Sequence, residues 1–165
     1  MPDPAATTRP ATGTPLDTEL RFLLLAAQRE GSRLLGRALD PIDLTPAQAE
    51  VLTVISEQQP LTLVDLGRNI VCETASPSRI VDALVRRGLV DRRPGEVDRR
   101  IVLLTLSKAG QALIPQVRAV EKAFSDATLA NVPMEQKAAM AEFLRLITRG
   151  TPGGDAVARR FGHAA

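Results

Sequence analysis

Gly88 divides two side-chain periods, and that division constrains the fold more than any other feature of the chain. Before it, apolar residues recur at helical spacing, as in Ile80, Val81, Leu84 and Val85. After it, Arg100, Val102, Leu104 and Leu106 alternate with Ile101, Leu103 and Thr105, the period of a strand. The runs LVDRR (89–93) and RRIVLLTL (99–106) therefore predict a hairpin around the turn Pro94-Gly95. No second β pattern of this kind is visible, so the expected class is mainly α with one small β-hairpin (α+β).

The helices are announced by their caps. Thr14-Pro15-Leu16-Asp17 offers an N-cap, a proline at the first helical position and a carboxylate near the positive end of the dipole. Helix 1 is predicted to reach about Leu39 behind Leu20, Leu23, Leu24, Ala27, Leu34, Leu35 and Ala38. Thr45-Pro46-Ala47-Gln48 is a capping box, and its helix runs to about Gln58, where Pro60 stops it. Thr62 to Asp65 starts a short third helix, about 63–70. After a break at Val71-Cys72-Glu73, a fourth helix is expected from about Thr74, with Pro77 in its first turn and Gly88 as C-cap. Ser107 caps a fifth helix reaching about Ala130, in which Pro115 predicts a kink or a late start. Pro133 opens a sixth that Gly150 ends. Two short helices separated by a tight break, followed by a basic hairpin, are the pattern of a winged helix-turn-helix. Residues 1–13 have the composition of a disordered arm, and residues 151–165 read as a loose tail or a short terminal helix.

Composition supports this and excludes other classes. Four Phe and no Trp or Tyr leave the core to Leu, Val, Ile and Ala, which favours helices. No apolar run approaches the ~18 residues of a membrane span, and MPDPAATTRP has no apolar signal region. One cysteine forbids an internal disulfide and fits a reducing cytoplasm. One Cys and one His cannot build a zinc site, and there is no Gly-x-Ser-x-Gly and no phosphate-cradling glycine loop. No metal, cofactor or enzyme activity is expected.

Charge is concentrated. The formal net charge is +2, yet Arg79 to Lys108 carries eight basic and four acidic residues, +4 net, which leaves −2 for the rest. A positive segment on a near-neutral body points to one face that meets an anion. Helix 4 opens TASPSR, and Thr74, Ser76, Pro77, Ser78 and Arg79 sit where a recognition helix meets base edges in the major groove. The alternative is that Thr74 and Ser76 merely cap the helix. In the hairpin, Arg92, Arg93, Arg99 and Arg100 either pair with Asp91, Glu96 and Asp98 in a solvated turn or grip DNA. Exposed pairs add only about 0–1 kcal/mol, a poor reason for four arginines. A thin basic finger suits the minor groove, with Asp98 bracing a neighbouring arginine in one rotamer.

These residues resemble a known family. Asp98-Arg99-Arg100 followed by Leu106-Ser107-Lys108-Ala109-Gly110 is similar to the Asp-x-Arg…Leu-Thr-x-x-Gly wing signature of the MarR (multiple antibiotic resistance regulator) transcription factors, with Ser107 in place of Thr. SPSRIVDALVRRGLVDRR resembles the family's recognition helix and first wing strand, LTPAQAEVLTVI its helix 2 and LTLVDLGRNI its helix 3. The likeness covers about residues 16–149, with Pro77 inside the recognition helix as a departure. It implies one domain over 14–150, with dimerisation helices at about 14–40 and 107–150 and the winged helix at about 45–106. It further implies an obligate homodimer on a pseudo-palindromic operator, with half-sites roughly 34 Å apart. Arg100 becomes the minor-groove probe, and a small phenolic or aromatic effector, or an oxidant, loosens binding. Phe22, Arg29 and Arg33 on helix 1 are candidates for an acidic aromatic effector, against a core Phe and two surface arginines. Cys72, just before helix 4, is either an oxidant sensor or a small buried hydrophobe; the family's oxidant-sensing branch carries its cysteine near the start of helix 1, where this chain has none. His163 is expected to be inert. The leading expectation is a cytoplasmic, ligand-responsive repressor. The competing class is a winged helix that docks an acidic protein partner through its basic hairpin.

Overall fold

A computed structural model describes residues 15–71, 76–95 and 98–162. Seven α-helices, one 3-10 turn and three short strands account for most of these residues. The chain has two compact units, Met1–Leu34 and Leu35–Ala165. Helix α1 (Leu16–Leu39) contributes to both. The part of α1 in the first unit leaves Leu16, Leu20, Phe22, Leu23 and Leu25 exposed. The proposed Thr14 cap lies outside the described residues.

The second unit is built around α2 (Pro46–Gln58), whose Val51, Leu52, Val54 and Ile55 are fully buried. Its start is fixed locally. Gln48 N–H donates to Thr45 Oγ1 (3.2 Å) and Thr45 N–H donates to Gln48 Oε1 (3.0 Å), the reciprocal bonds of a capping box. Around α2 pack α3 (Leu63–Asn69), α4 (Pro77–Arg86), the strand β3 (Val102–Leu106) and α5 (Lys108–Leu129). They bring Leu66, Val81, Leu84, Leu104 and Val117 into one aliphatic core.

The helix-turn-helix differs from expectation at one end. Helix α4 begins at Pro77 with Ser76 as N-cap, so Thr74 precedes the helix and lies outside the described residues. Proline at the first helical position has no N–H to leave unpaired, which makes Pro77 a start signal and not an interruption. Gly88, at φ +68°, ends the segment in the left-handed region that glycine adopts without strain.

The sheet has three strands, not two. β1 (Leu61–Thr62) joins β3, and β3 joins β2 (Val90–Pro94), all antiparallel. Val90 faces Leu106 and Pro94 faces Val102, so Pro94 closes β2 and is not part of the turn. Arg99 and Arg100, expected in the returning strand, occupy the turn before it.

Helix α5 starts at Lys108 and continues through Pro115, which removes the late-start alternative. Its first turn is clasped to the hairpin. Ser107 Oγ accepts from Gly110 N–H (3.0 Å) and donates to the Gly88 carbonyl (2.6 Å). A Cβ on Gly110 would lie 2.1 Å from the Leu89 carbonyl oxygen, so only glycine lets α5 approach β2 here. Ser107 and Gly110 thus hold the base of the hairpin.

Helix α6 (Met134–Thr148) buries none of its residues in the single chain and ends at Gly150, φ +72°. Beyond it, the stretch assigned to a tail is a helix, α7 (Pro152–Phe161), capped by Thr151 and packed on α3 and α6 with Ala156 buried. Of the two sequence options for 151–165, the short terminal helix is the one the fold adopts over Pro152–Phe161.

Candidate nucleic-acid interface

The first part of the interface is the N-terminus of α4. Ser76 is exposed and does not cap the helix through its side chain; its Oγ lies 3.0 Å from Ser78 Oγ. Capping therefore does not account for Ser76. Arg79 is exposed one turn into the helix. The opposite face carries Ile80, Val81 and Leu84 into the core, so burial fixes which side chains point outward.

The second part is the hairpin turn. Asp98 Oδ1 accepts the backbone N–H of Arg100 (2.9 Å), and the Asp98 carbonyl accepts from Ile101 N–H (3.1 Å). Gly95 N–H donates to the Ile101 carbonyl (2.8 Å), and the Asp98 carbonyl oxygen lies 2.7 Å from where a Gly95 Cβ would sit. Asp98 is thus a brace, but it holds the main chain of Arg100 and not a guanidinium. Such a self-closing turn is what an Asp side chain two residues back provides.

The four arginines divide by partner. Arg92 donates to Asp82 of α4 at 2.6 Å, which ties α4 to β2. Arg93 lies 3.8 Å from Asp91, both well exposed, a separation at which an ion pair contributes little. Arg99 and Arg100 are exposed, and among the described residues no carboxylate pairs with either. Glu96, one of the carboxylates expected to neutralise the turn, lies outside the described residues. Among the other basic residues of the segment, Arg87 is held by Asp43 (2.9 Å) and Gln48 (3.3 Å) at the far end of α4. Of the segment's arginines, Arg87 and Arg92 are thereby held by carboxylates of other elements, while Arg79, Arg86, Arg93, Arg99 and Arg100 are exposed.

Reasoning from sequence missed Asp82, which lies in α4 ten positions before Arg92 and gave no local signal. It also missed Glu50 of α2, which accepts Val71 N–H (2.8 Å) in the connection between α3 and α4. Both contacts join segments that are distant in sequence.

The effector candidates lie on α1, where spacings of seven and eleven residues place Phe22, Arg29 and Arg33 along one stripe of a helix. Phe22 is 57% exposed with the Arg21 guanidinium 4.2 Å from its ring centre, and Arg33 pairs with Glu30 at 2.9 Å. Phe22 is therefore not a core residue of the single chain. Cys72 and His163 lie outside the described residues. Among the described residues no group of three His, Cys, Asp or Glu could hold a metal ion, and no helix is long and apolar enough to cross a membrane.

Comparison with known proteins agrees with this arrangement. The family model described as MarR family matches residues 44–102, the stretch from α2 to the start of β3. The chain is 34% identical over 94 residues to the multiple antibiotic resistance protein MarR of Escherichia coli, covering 57% of this chain and 65% of that protein. It is 30% identical over 121 residues to the uncharacterized HTH-type transcriptional regulator YdcH of Bacillus subtilis, covering 68% of this chain and 82% of that one. A crystal structure of a mutant Escherichia coli MarR complexed with operator DNA superposes with a TM-score of 0.72 at 28% identity, covering 81% of this chain and 99% of that one.

Proposed function

The chain belongs to the MarR family of transcriptional regulators, and on that premise we propose that it is a ligand-responsive repressor that binds a pseudo-palindromic operator as a homodimer. The observation that carries the DNA-binding reading is the pairing of two exposed elements. One is the uncapped Ser76, Ser78 and Arg79 end of α4; the other is a braced turn that offers Arg99 and Arg100 without a carboxylate partner among the described residues. Arg92 on Asp82 links the two elements. The α4 end reads base edges in the major groove, where Ser and Arg have donors of the right reach. The turn enters the minor groove, whose negative potential favours guanidinium groups.

Homodimerisation supplies two such units, and α1, α5 and α6 carry it. Effector release acts through the α1 stripe of Phe22, Arg29 and Arg33, which offers an aromatic face and two cations to a small acidic aromatic molecule. Acting on DNA places the chain in the cytoplasm, and nothing in the reading asks it to be an enzyme.

Selection of duplexes from a random pool, followed by binding at several salt concentrations, tests the proposal. A recovered inverted repeat bound well above random DNA, with affinity falling steeply as salt rises, is the expected result. A chain that binds no duplex above random, but binds an acidic protein partner, belongs instead to the docking class. A compound that raises the melting temperature of the pure chain identifies the effector, because a ligand bound to the folded state stabilises it by mass action.

A further inference from the structure

The C-terminal helix α7 reaches back to the helix-turn-helix with two consecutive arginines. Arg159 donates through Nε (3.1 Å) and Nη2 to the carbonyl of Arg68, in the last turn of α3, where carbonyls have no partner within the helix. Arg160 donates through Nη1 to Glu50 Oε1 at 3.0 Å. That same oxygen accepts Val71 N–H at 2.8 Å. Both side chains of the ion pair are largely buried, 16% exposed for Arg160 and 12% for Glu50. A pair shielded from water in this way is strongly coupled, and removing one partner leaves the other charge buried.

The other end of α7 is equally fixed. Thr151 caps it, and Gly154 sits so close to the end of α6 that a Cβ there would lie 2.1 Å from the Thr148 carbonyl oxygen. The joint between α6 and α7 is therefore tightly packed, and α7 runs from it to α3.

We propose that α7 is a strut that sets the end of α3 and, through the packing of α3 on α4, the recognition helix, and that Arg160 is a positioning residue acting through Glu50 on Val71. The consequence for DNA rests on the DNA-binding reading above. Without the strut, Glu50 loses its Arg160 partner and Val71 N–H loses a fixed acceptor at the end of α3. DNA then meets an ensemble of α4 orientations, and the loss falls on sequence discrimination more than on phosphate attraction.

The test uses the full chain with Arg160→Gln, Glu50→Gln and the charge-conserving Arg160→Lys. Amide hydrogen exchange at Val71 is measured together with affinity for the selected duplex and for a random one. Loss of a hydrogen bond to a charged group predicts exchange at Val71 faster by roughly tenfold or more in the two Gln variants. Affinity for the selected duplex should fall on the same scale, with random-duplex binding nearly unchanged, and Arg160→Lys should recover most of both. Should Arg160→Gln fail to fold, Arg160→Lys and Glu50→Gln still report the same exchange. Unchanged exchange at Val71 overturns the strut, whatever DNA does. Faster exchange with unchanged selectivity overturns its role in recognition. A wild-type chain with no selected duplex removes the DNA-binding reading, and the exchange arm decides the strut by itself.

Discussion

Arg92 and Arg100 are eight positions apart in one basic hairpin, and the fold gives them different work. Arg92 is held by Asp82, whereas Arg100 is exposed and, among the described residues, has its backbone N–H but not its guanidinium engaged by a carboxylate. Arg100→Ala should weaken binding to any duplex and reduce the slope of log affinity against log salt by about one ion. Ser78→Ala or Arg79→Ala should instead cost about 1–3 kcal/mol of discrimination between duplexes, seen by titrating single-base variants of the selected site. Glu121 of α5 makes a separate prediction. Burial raises its carboxyl above the usual 4.5, and Glu57 and Glu50 add to that, while Arg160 and Arg118 oppose it. The folded chain therefore holds a proton that the unfolded chain has released, and stability falls as pH rises from 4.5 through the raised value. Glu121→Gln should raise the melting temperature at neutral pH and give no gain below pH 4.5. The outward arginines were legible in the sequence as a charge excess. Which of them were free was not, because Asp82 and Asp43 reach the hairpin and α4 only through tertiary packing.

At the scale of elements, what local chemistry dictates is what the sequence reveals. The Thr45 capping box, the Thr62 and Ser107 caps and the Gly88 stop all act within four residues, and each of these helix ends lies where the sequence puts it. The clasp at Gly110 combines a local cap from Ser107 with a tertiary approach to Leu89. Gly110→Ala should destabilise the chain and disorder the hairpin base, checked by thermal unfolding together with exchange at Leu89 and Ser107, because the obstructing atom is a backbone carbonyl with no rotamer to yield. Elements that depend on a distant partner were not legible. Strand β1 is two residues long and exists only because Leu61 and Thr62 pair with Leu104 and Leu103. Helix α7 is anchored to a residue 110 positions away, so nothing near Thr151 announces that its helix docks. The start of α4 was misplaced for a related reason. Thr74, Ser76 and Ser78 are all good cap types, and only Pro77 at the first helical position singles out Ser76.

For the whole molecule, the apolar side chains left outside the core matter most. On α6, Met140, Phe143, Leu144, Leu146 and Ile147 are exposed, and on α1, Leu16, Leu20, Phe22, Leu23 and Leu25. Faces of this extent on a soluble monomer mark an interaction surface, and a second copy of the chain is the partner that the proposed function requires. Sedimentation equilibrium should find a dimer. Phe143→Asp with Leu146→Asp should give a monomer that loses the inverted-repeat duplex and keeps weak, salt-sensitive binding to random DNA. The expected organisation into dimerisation helices flanking a winged helix thus passes to experiment, with α7 added to it as a link between α6 and the recognition unit. The central claim is that this chain reads a DNA sequence through α4 and the Arg99-Arg100 turn. The most direct measurement is the affinity of the wild-type and Arg100→Ala chains for the selected inverted repeat and for random duplex across a salt series. The account predicts a clear preference for the repeat, a steep salt dependence and a shallower slope for Arg100→Ala. Equal affinity for both duplexes, or identical salt slopes for the two chains, would contradict it.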